Sequence, residues 1–329
     1  MIDSCDSYKY LGDMIMKNGA NRKNLEEREN KVMARTRKIL ALCSTEVFQK
    51  TQLKSLLQLH NSCTVAGLLT NCETWVLNKA ERGKLERIEL WALKKIPKTT
   101  PTAAIWHVMG MMITSILIDK RQMLYLKNIL NKPSDNWTKQ IFISLREDDI
   151  GWAKQIWQTL EVYGVSATLE EIKEMPSGKW RKLITAATEM KQKERLIEMC
   201  NGRGGEKTKT KELLENLNTD TYARAPCMKI LTKSKYQSRV LIMAKFHMLN
   251  CAKNFKTGYK GENCNLCEVL DDENHRINFC KKYANTNLFQ SSLKIDFHSV
   301  FSNDPETIQR ILLVVCEIWD VENGRNEMR

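Results

Sequence analysis

"CNLCEVLDDENHRINFC" runs from Cys264 to Cys280 and places Cys264, Cys267, His275 and Cys280 in the spacing C-x2-C-x7-H-x4-C. Thiolate and imidazole are the ligands zinc prefers, and a Cys3His set completes its tetrahedron. The Cys-x2-Cys pair can chelate from one tight turn, and His-x4-Cys fits one turn of helix or its end. A loop this small has no core of its own, so the metal has to supply the folding energy. Four protein ligands leave no open position for a reacting water, so the expected site is structural rather than catalytic, with Zn2+ as its cofactor.

Immediately upstream, residues 222–261 contain no Asp or Glu but carry Arg224, Lys229, Lys233, Lys235, Arg239, Lys245, Lys253, Lys256 and Lys260. Tyr222, Tyr236, Phe246, Phe255 and Tyr259 are interleaved with them. Cations neutralise phosphates and exposed aromatics stack on bases. Lys253, Phe255, Lys256, Tyr259 and Lys260 are therefore candidate nucleic-acid contacts. The chain as a whole is basic, with 52 Lys+Arg against 39 Asp+Glu and a net charge of +13, which points the same way.

Further upstream the pattern is helical. Among 329 residues there are only 14 Gly and 6 Pro, and the apolar positions recur at helical spacing. Helices are predicted over about 24–43, 47–70, 79–95, 101–109, 112–131, 136–146, 149–163, 168–175, 178–200, 208–217 and 235–249, with a last one over about 305–320. Asn24 and Glu27 have the spacing of a capping box for the first. Its Arg28, Lys31, Arg35 and Lys38 recur every three or four residues and form a candidate phosphate-facing surface. The strand signal is "YKYLGDMIMKNGA" (residues 8–20), with a turn predicted at Asn18-Gly19. "NGRGGEK" (residues 201–207) is the best linker.

Outside residues 264–280 the cysteines are scattered singly through apolar helical patterns and read as buried free thiols in a reducing compartment. No signal-peptide pattern opens the chain, and the longest apolar run, "VMGMMITSILI", has 11 residues, too few to span a bilayer. The expectation is a soluble protein of the nucleus or cytoplasm, with no membrane and no small-molecule substrate. The histidines His60, His107 and His247 and most of the tryptophans read as packing residues.

Three stretches together resemble the C-terminal part of a non-LTR (LINE-type) retrotransposon reverse transcriptase. "YKYLGDMIMKNG" (residues 8–19) looks like the strand segment that closes the palm and leads into the thumb. "LLTNCETWVLNKAERGKLERIELWALKKI" (residues 68–96) is similar to the thumb-region signature around Glu73-Thr74-Trp75. "FHMLNCAKNFKTGYKGENCNLCEVLDDENHRINFC" (residues 246–280) resembles the family's zinc knuckle and its basic lead-in. Family members commonly have Tyr-Gly where this chain has Thr70-Asn71.

The resemblance implies a mainly α fold. It comprises a primer-grip strand and thumb-like helical region over 1–131, a helical spacer over 132–205, a basic helical segment with a CCHC zinc knuckle over 206–282, and a helical tail over 283–329. It also implies a partner, RNA or single-stranded DNA, within a retroelement ribonucleoprotein. The catalytic Tyr-x-Asp-Asp hairpin of a polymerase palm is missing. The Asp148-Asp149 and Asp271-Asp272 pairs lack its tyrosine and read as a helix N-terminus and a solvated knuckle loop. The chain thus reads as a truncated, non-catalytic copy. Two other readings stay open: a helical protein-interaction scaffold with a purely structural zinc site, and a polymerase fragment that takes its palm from another chain.

Overall fold

A computed structural model describes residues 7–10, 13–16, 22–43, 52–95, 102–201, 234–245 and 263–281, together with residues 309, 312, 313, 315, 316 and 318. The fold is mainly helical. Ser7–Tyr10 (β1) pairs antiparallel with Asp13–Met16 (β2), Tyr10 lying opposite Asp13. The two strands pair ahead of Asn18-Gly19, which lies outside the described residues.

The helix Arg22–Cys43 (α1) follows. It begins before Asn24, which is buried and accepts a hydrogen bond from Arg28 Nε at 3.1 Å instead of capping the helix. Leu53–His60 (α2) continues through a π-helical turn, Asn61–Val65, into Ala66–Leu68. After a 3-10 turn at Cys72–Thr74 comes Lys79–Lys95 (α3). Its start is a reciprocal cap: Asn78 N–H donates to Glu81 Oε2 at 2.9 Å and Glu81 N–H to Asn78 Oδ1 at 3.0 Å. Then follow Thr102–Val108 (α4), Thr114–Leu130 (α5), Trp137–Glu147 (α6), Gly151–Val162 (α7), Leu169–Glu174 (α8) and Ser177–Cys200 (α9). Lys235–Lys245 (α10) and Glu273–Asn278 (α11) complete the described helices. The helix predicted over 208–217 lies outside the described residues, as does the linker's main part.

Two apolar clusters organise these helices. The first draws on α1 to α5, the end of α9, Val240 to Met243 of α10, Cys280, and Leu312, Val315 and Ile318. The second joins Met123, Leu126, Ile129 and Leu130 of α5 to Phe142, Ile156, Leu160, Ile172, Trp180 and Ile184. Helices α5 and α9 pack on each other and run through both clusters in opposite senses. The second cluster takes residues from both sides of position 131. Trp180 is 1 % exposed, and its Nε1–H donates to Met123 O at 3.1 Å, so the ring's one polar atom is satisfied where it is buried.

Polar groups in the core are mostly spent on backbone. Gln192 takes Ile113 N–H at 2.9 Å and donates to Met111 O at 3.0 Å, which fixes the turn ahead of α5. Gln122 donates to Cys72 O and Trp75 O, holding the 3-10 turn on α5. Asp119 receives Arg82 and Tyr163, at 2.9 Å for the latter, and so ties α3 to the end of α7. Asp148 and Asp149 close α6 rather than open the next helix. Asp149 has φ 50°, and its carboxylate is 2.6 Å from Lys154 Nζ. Cys72 and Cys200 are buried as predicted, whereas Cys63 is exposed on the π-helical turn.

Candidate metal centre

The ligands are assembled by two short devices. Asn263 and Leu270 form an antiparallel bridge, and within it Cys264 N–H donates to Val269 O at 2.8 Å. Glu268 N–H and Cys267 N–H both donate to Cys264 O, at 2.8 and 3.3 Å. That turn needs a left-handed residue, and Glu268 takes φ 60° although it is not a glycine. On the other side, Asp272 caps α11 by accepting His275 N–H at 2.8 Å. Cys280 N–H then returns to His275 O at 2.8 Å as the helix ends. Asp271 is buried, not solvated: Arg276 grips it with two bonds of 2.7 Å each, Nε to Oδ1 and Nη2 to Oδ2. This fork fixes the approach to α11, and with it the imidazole.

The result brings the ligand atoms of Cys264, Cys267, His275 and Cys280 within 4.8 Å of one another. Cys264 Sγ and Cys280 Sγ are 3.8 Å apart. That is the edge of a tetrahedron with bonds of about 2.3 Å, the zinc–thiolate length. His275 Nε2 is buried and has no hydrogen-bond partner among the described residues, as suits an atom reserved for a metal. Lys281 N–H donates to Cys267 Sγ at 3.3 Å, the kind of contact that stabilises a thiolate. Burial pushes the Cys264 thiol up. Hydrogen bonds from the Leu266 and Cys267 backbone, with the Cys280 and Cys267 thiols, outweigh it and hold it below its usual value. Burial also lowers His275, with Arg276 adding to this and Asp271 and Asp272 opposing it, so the neutral, ligating form is favoured. The four residues predicted from spacing thus form one group that could hold a metal ion.

The group is not a free-standing bead. Cys280 is part of the first apolar cluster, and Cys264 and Cys267 pack against it.

The predicted phosphate-facing helix surface divides. Arg28 is a correction: it is 4 % exposed and points into the core side of α1. Its Nη1 donates to Gly67 O at 2.9 Å and Leu68 O at 3.2 Å, and its guanidinium lies 4.7 Å from the Trp75 ring centroid. It secures the chain where Ala66–Leu68 ends, and is not offered to a phosphate. Lys31, Arg35 and Lys38 are exposed. Lys31 pairs with Glu27 at 2.8 Å, and Arg35 Nη1 donates to Cys63 O at 2.9 Å. A Cβ on Gly67 would sit 1.7 Å from Arg35 Nη1, so a larger residue there would displace that flexible side chain from Cys63 O. Lys253, Phe255, Lys256, Tyr259 and Lys260 lie outside the described residues.

Sequence reasoning did not single out Arg276, Asp271 or Glu268 as parts of the site. The C-x2-C spacing signals a turn but not which residue must go left-handed. Among the described residues no helix is long and apolar enough to cross a membrane. No family model, curated protein or solved structure matches the chain.

Proposed function

We propose that this chain binds RNA or single-stranded DNA as a zinc-dependent, non-catalytic unit of the reverse-transcriptase-like, non-LTR retrotransposon kind. The observation that carries it is the preformed Cys3His group directly following an acid-free basic stretch. Zinc is the metal proposed, since three thiolates and an imidazole at tetrahedral spacing suit it best. Asn71 adds support. It stands where the resembling family commonly has glycine, and its backbone is left-handed, φ 59°, the conformation glycine serves there. The sequence holds no Tyr-x-Asp-Asp, so no primer extension is proposed for the chain alone.

The test is retention of labelled RNA and single-stranded DNA across a salt series. Affinity should fall by about 0.7 log units per log unit of salt for each neutralised phosphate on a single strand. Changing Lys253, Lys256 and Lys260 together to Ala should weaken binding and flatten that slope. A parent protein that retains neither strand at low salt overturns the proposal. The scaffold reading keeps one observation in its favour. Trp137 and Ile141, one turn apart on α6, are 78 % and 56 % exposed, as protein-contacting residues often are.

A further inference from the structure

Helix α6 is anchored on one side and open on the other. Phe142 is buried in the second cluster, and Leu145 packs against it. Away from that side lie Trp137, Ile141, Ser144 and Asp148, all exposed. Their spacing of four, three and four residues sets them in one line along the helix, the spacing at which one helix packs on another. The first half of the line is apolar, with Trp137 78 % and Ile141 56 % exposed. Ser144 is small enough to let a second backbone approach. Asp148 ends the line, with the exposed Glu147 beside it. Single exposed apolar residues are ordinary, but a tryptophan and an isoleucine aligned in this way are what a contact surface offers.

The charges around this line are one-sided. Between residues 131 and 154 the cations are Lys132, Lys139, Arg146 and Lys154, and each is engaged. Lys132 Nζ donates to Thr138 Oγ1 at 3.3 Å, and Lys139 Nζ donates to Leu130 O and Lys132 O at 3.0 and 2.8 Å. The Arg146 guanidinium lies 4.2 Å from the Trp157 ring centroid, and Lys154 Nζ is 2.6 Å from Asp149. Asp135, Glu147 and Asp148 have no cation partner among the described residues. Glu147 and Asp148 also sit at the negative end of the α6 dipole, where a cation is favoured and an acid is not. In a chain of net charge +13, this is a surface that disfavours phosphate and favours Lys or Arg.

A second copy of this chain fits poorly. In an antiparallel pair, Trp137 of one copy would meet Asp148 of the other, and Ile141 would meet Ser144. In a parallel pair, Glu147 and Asp148 would meet their own like charges. A stagger that kept the acids in water would join two large side chains per copy, far below the area of about 800 Å² a side that a stable interface buries.

We infer that the line from Trp137 to Asp148 docks an amphipathic helix of another protein. The partner's apolar residues cover Trp137 and Ile141, and its Lys or Arg residues meet Glu147 and Asp148. The surface shares no residue with the nucleic-acid reading, so either can fail alone.

The probes are two labelled helical peptides of about 18 residues, or five turns. Both repeat Leu at heptad spacing. One carries Lys at one end, and the other carries Glu at the same positions. Binding to the full-length chain is followed by fluorescence anisotropy. Unspecific attraction to a basic chain favours the Glu peptide, so only a local acidic site gives the opposite preference. The parent should prefer the Lys peptide. Trp137→Ala and Ile141→Ala should each weaken that binding roughly ten-fold. Glu147→Lys combined with Asp148→Lys should reverse the preference. That double change is on the surface and suits the end of the helix, so it reads the site without disturbing the fold. The proposal is overturned if the parent binds neither peptide or prefers the Glu peptide, if both Ala variants bind as the parent does, or if charge reversal leaves the preference unchanged. Dimerisation of the parent in sedimentation, abolished by Ile141→Glu, would also overturn it and give the face to a second copy.

Discussion

From Met123 to Ile184, helices bury Met123, Leu126, Phe142, Ile156, Ile172 and Trp180 against one another. From residue 263 to 281, the described side chains that are buried are Asp271, His275, Arg276 and Cys280. Each fully buried apolar side chain in the first region contributes about 1.5–3 kcal/mol. The knuckle buries a charged pair and two metal ligands, groups that gain little from leaving water unless they are paired or coordinated. One chain therefore holds its shape in two ways. On the zinc reading proposed above, the knuckle would depend on its metal, whereas the helical region would not.

Removing the metal should break this symmetry most. Ligation of a structural zinc is worth on the order of 10 kcal/mol. Chelation, or Cys280→Ser, should leave the amides of Cys267, Glu268, Phe279 and Cys280 exchanging freely with solvent. The amides of α7 and the early part of α9 should stay protected. Because Cys280 belongs to the first cluster, α10 should loosen as well. Hydrogen exchange reads all three, and knuckle amides that stay protected in excess chelator would end the contrast.

Trp180→Ala attacks the other side. Emptying that position should cost about 3–5 kcal/mol, and it also removes the indole donor from the carbonyl of Met123. In urea the helical signal should collapse at lower denaturant, with metal release shifting less. A shift of both by the same amount would make the two regions one cooperative unit.

The third test uses pH. His60 is buried with neither ring nitrogen partnered among the described residues, and burial lowers its pKa from 6.5 to about 4. The fold prefers the neutral ring. This contribution is complete above pH 6.5 and is lost as pH falls toward 4, about 3 kcal/mol in all. Glu89 is opposite. Burial raises it from 4.5 to about 7, against the hydrogen bond from Thr114 and with help from Glu86. Its contribution is complete below pH 4.5 and is lost as pH rises toward 7, again about 3 kcal/mol. The two act in opposite directions in the parent between pH 4.5 and 6.5. Glu89→Gln should leave stability rising with pH in that window, and His60→Phe should leave it falling. Denaturation midpoints at three pH values decide it. Parallel slopes in both variants would refute the pairing.

The smallest effect belongs to the surface of α1. The Lys31–Glu27 pair is exposed, and Lys31→Ala should change the midpoint by no more than about 0.5 kcal/mol. Arg28→Ala, by contrast, should be clearly destabilising, since it leaves Gly67 O and Leu68 O without that donor.

Arg28 also shows how far the sequence could be read. Helical spacing located nearly every described helix to within a few residues, and ligand spacing located the group that could hold a metal ion, because both signals are local and periodic. The same periodicity misled at Arg28. It shares the buried side of α1 with Leu25, Val32 and Ile39, and what justifies a cation there is a pair of carbonyls some forty residues away. Asn24 was misread for a related reason, since its cap-like spacing is spent on Arg28 inside the helix. That the second cluster takes residues from both sides of position 131 was not legible either, because nothing in the pattern of α5 says that its two halves face different neighbours.

The two clusters also differ in the order in which a growing chain can complete them. The second uses residues 123–184, all close in sequence, so its contacts close short loops and can form while synthesis continues. The first unites Leu25 and Leu53 with Val240 to Met243, Cys280 and Leu312, and Gln52 bridges Ser234. Those partners emerge from the ribosome long after the early helices, which must wait with an open apolar face. Contacts of such separation slow folding. The stretch from Leu25 to Leu69 is thus where a nascent chain is most exposed to aggregation and most in need of a chaperone.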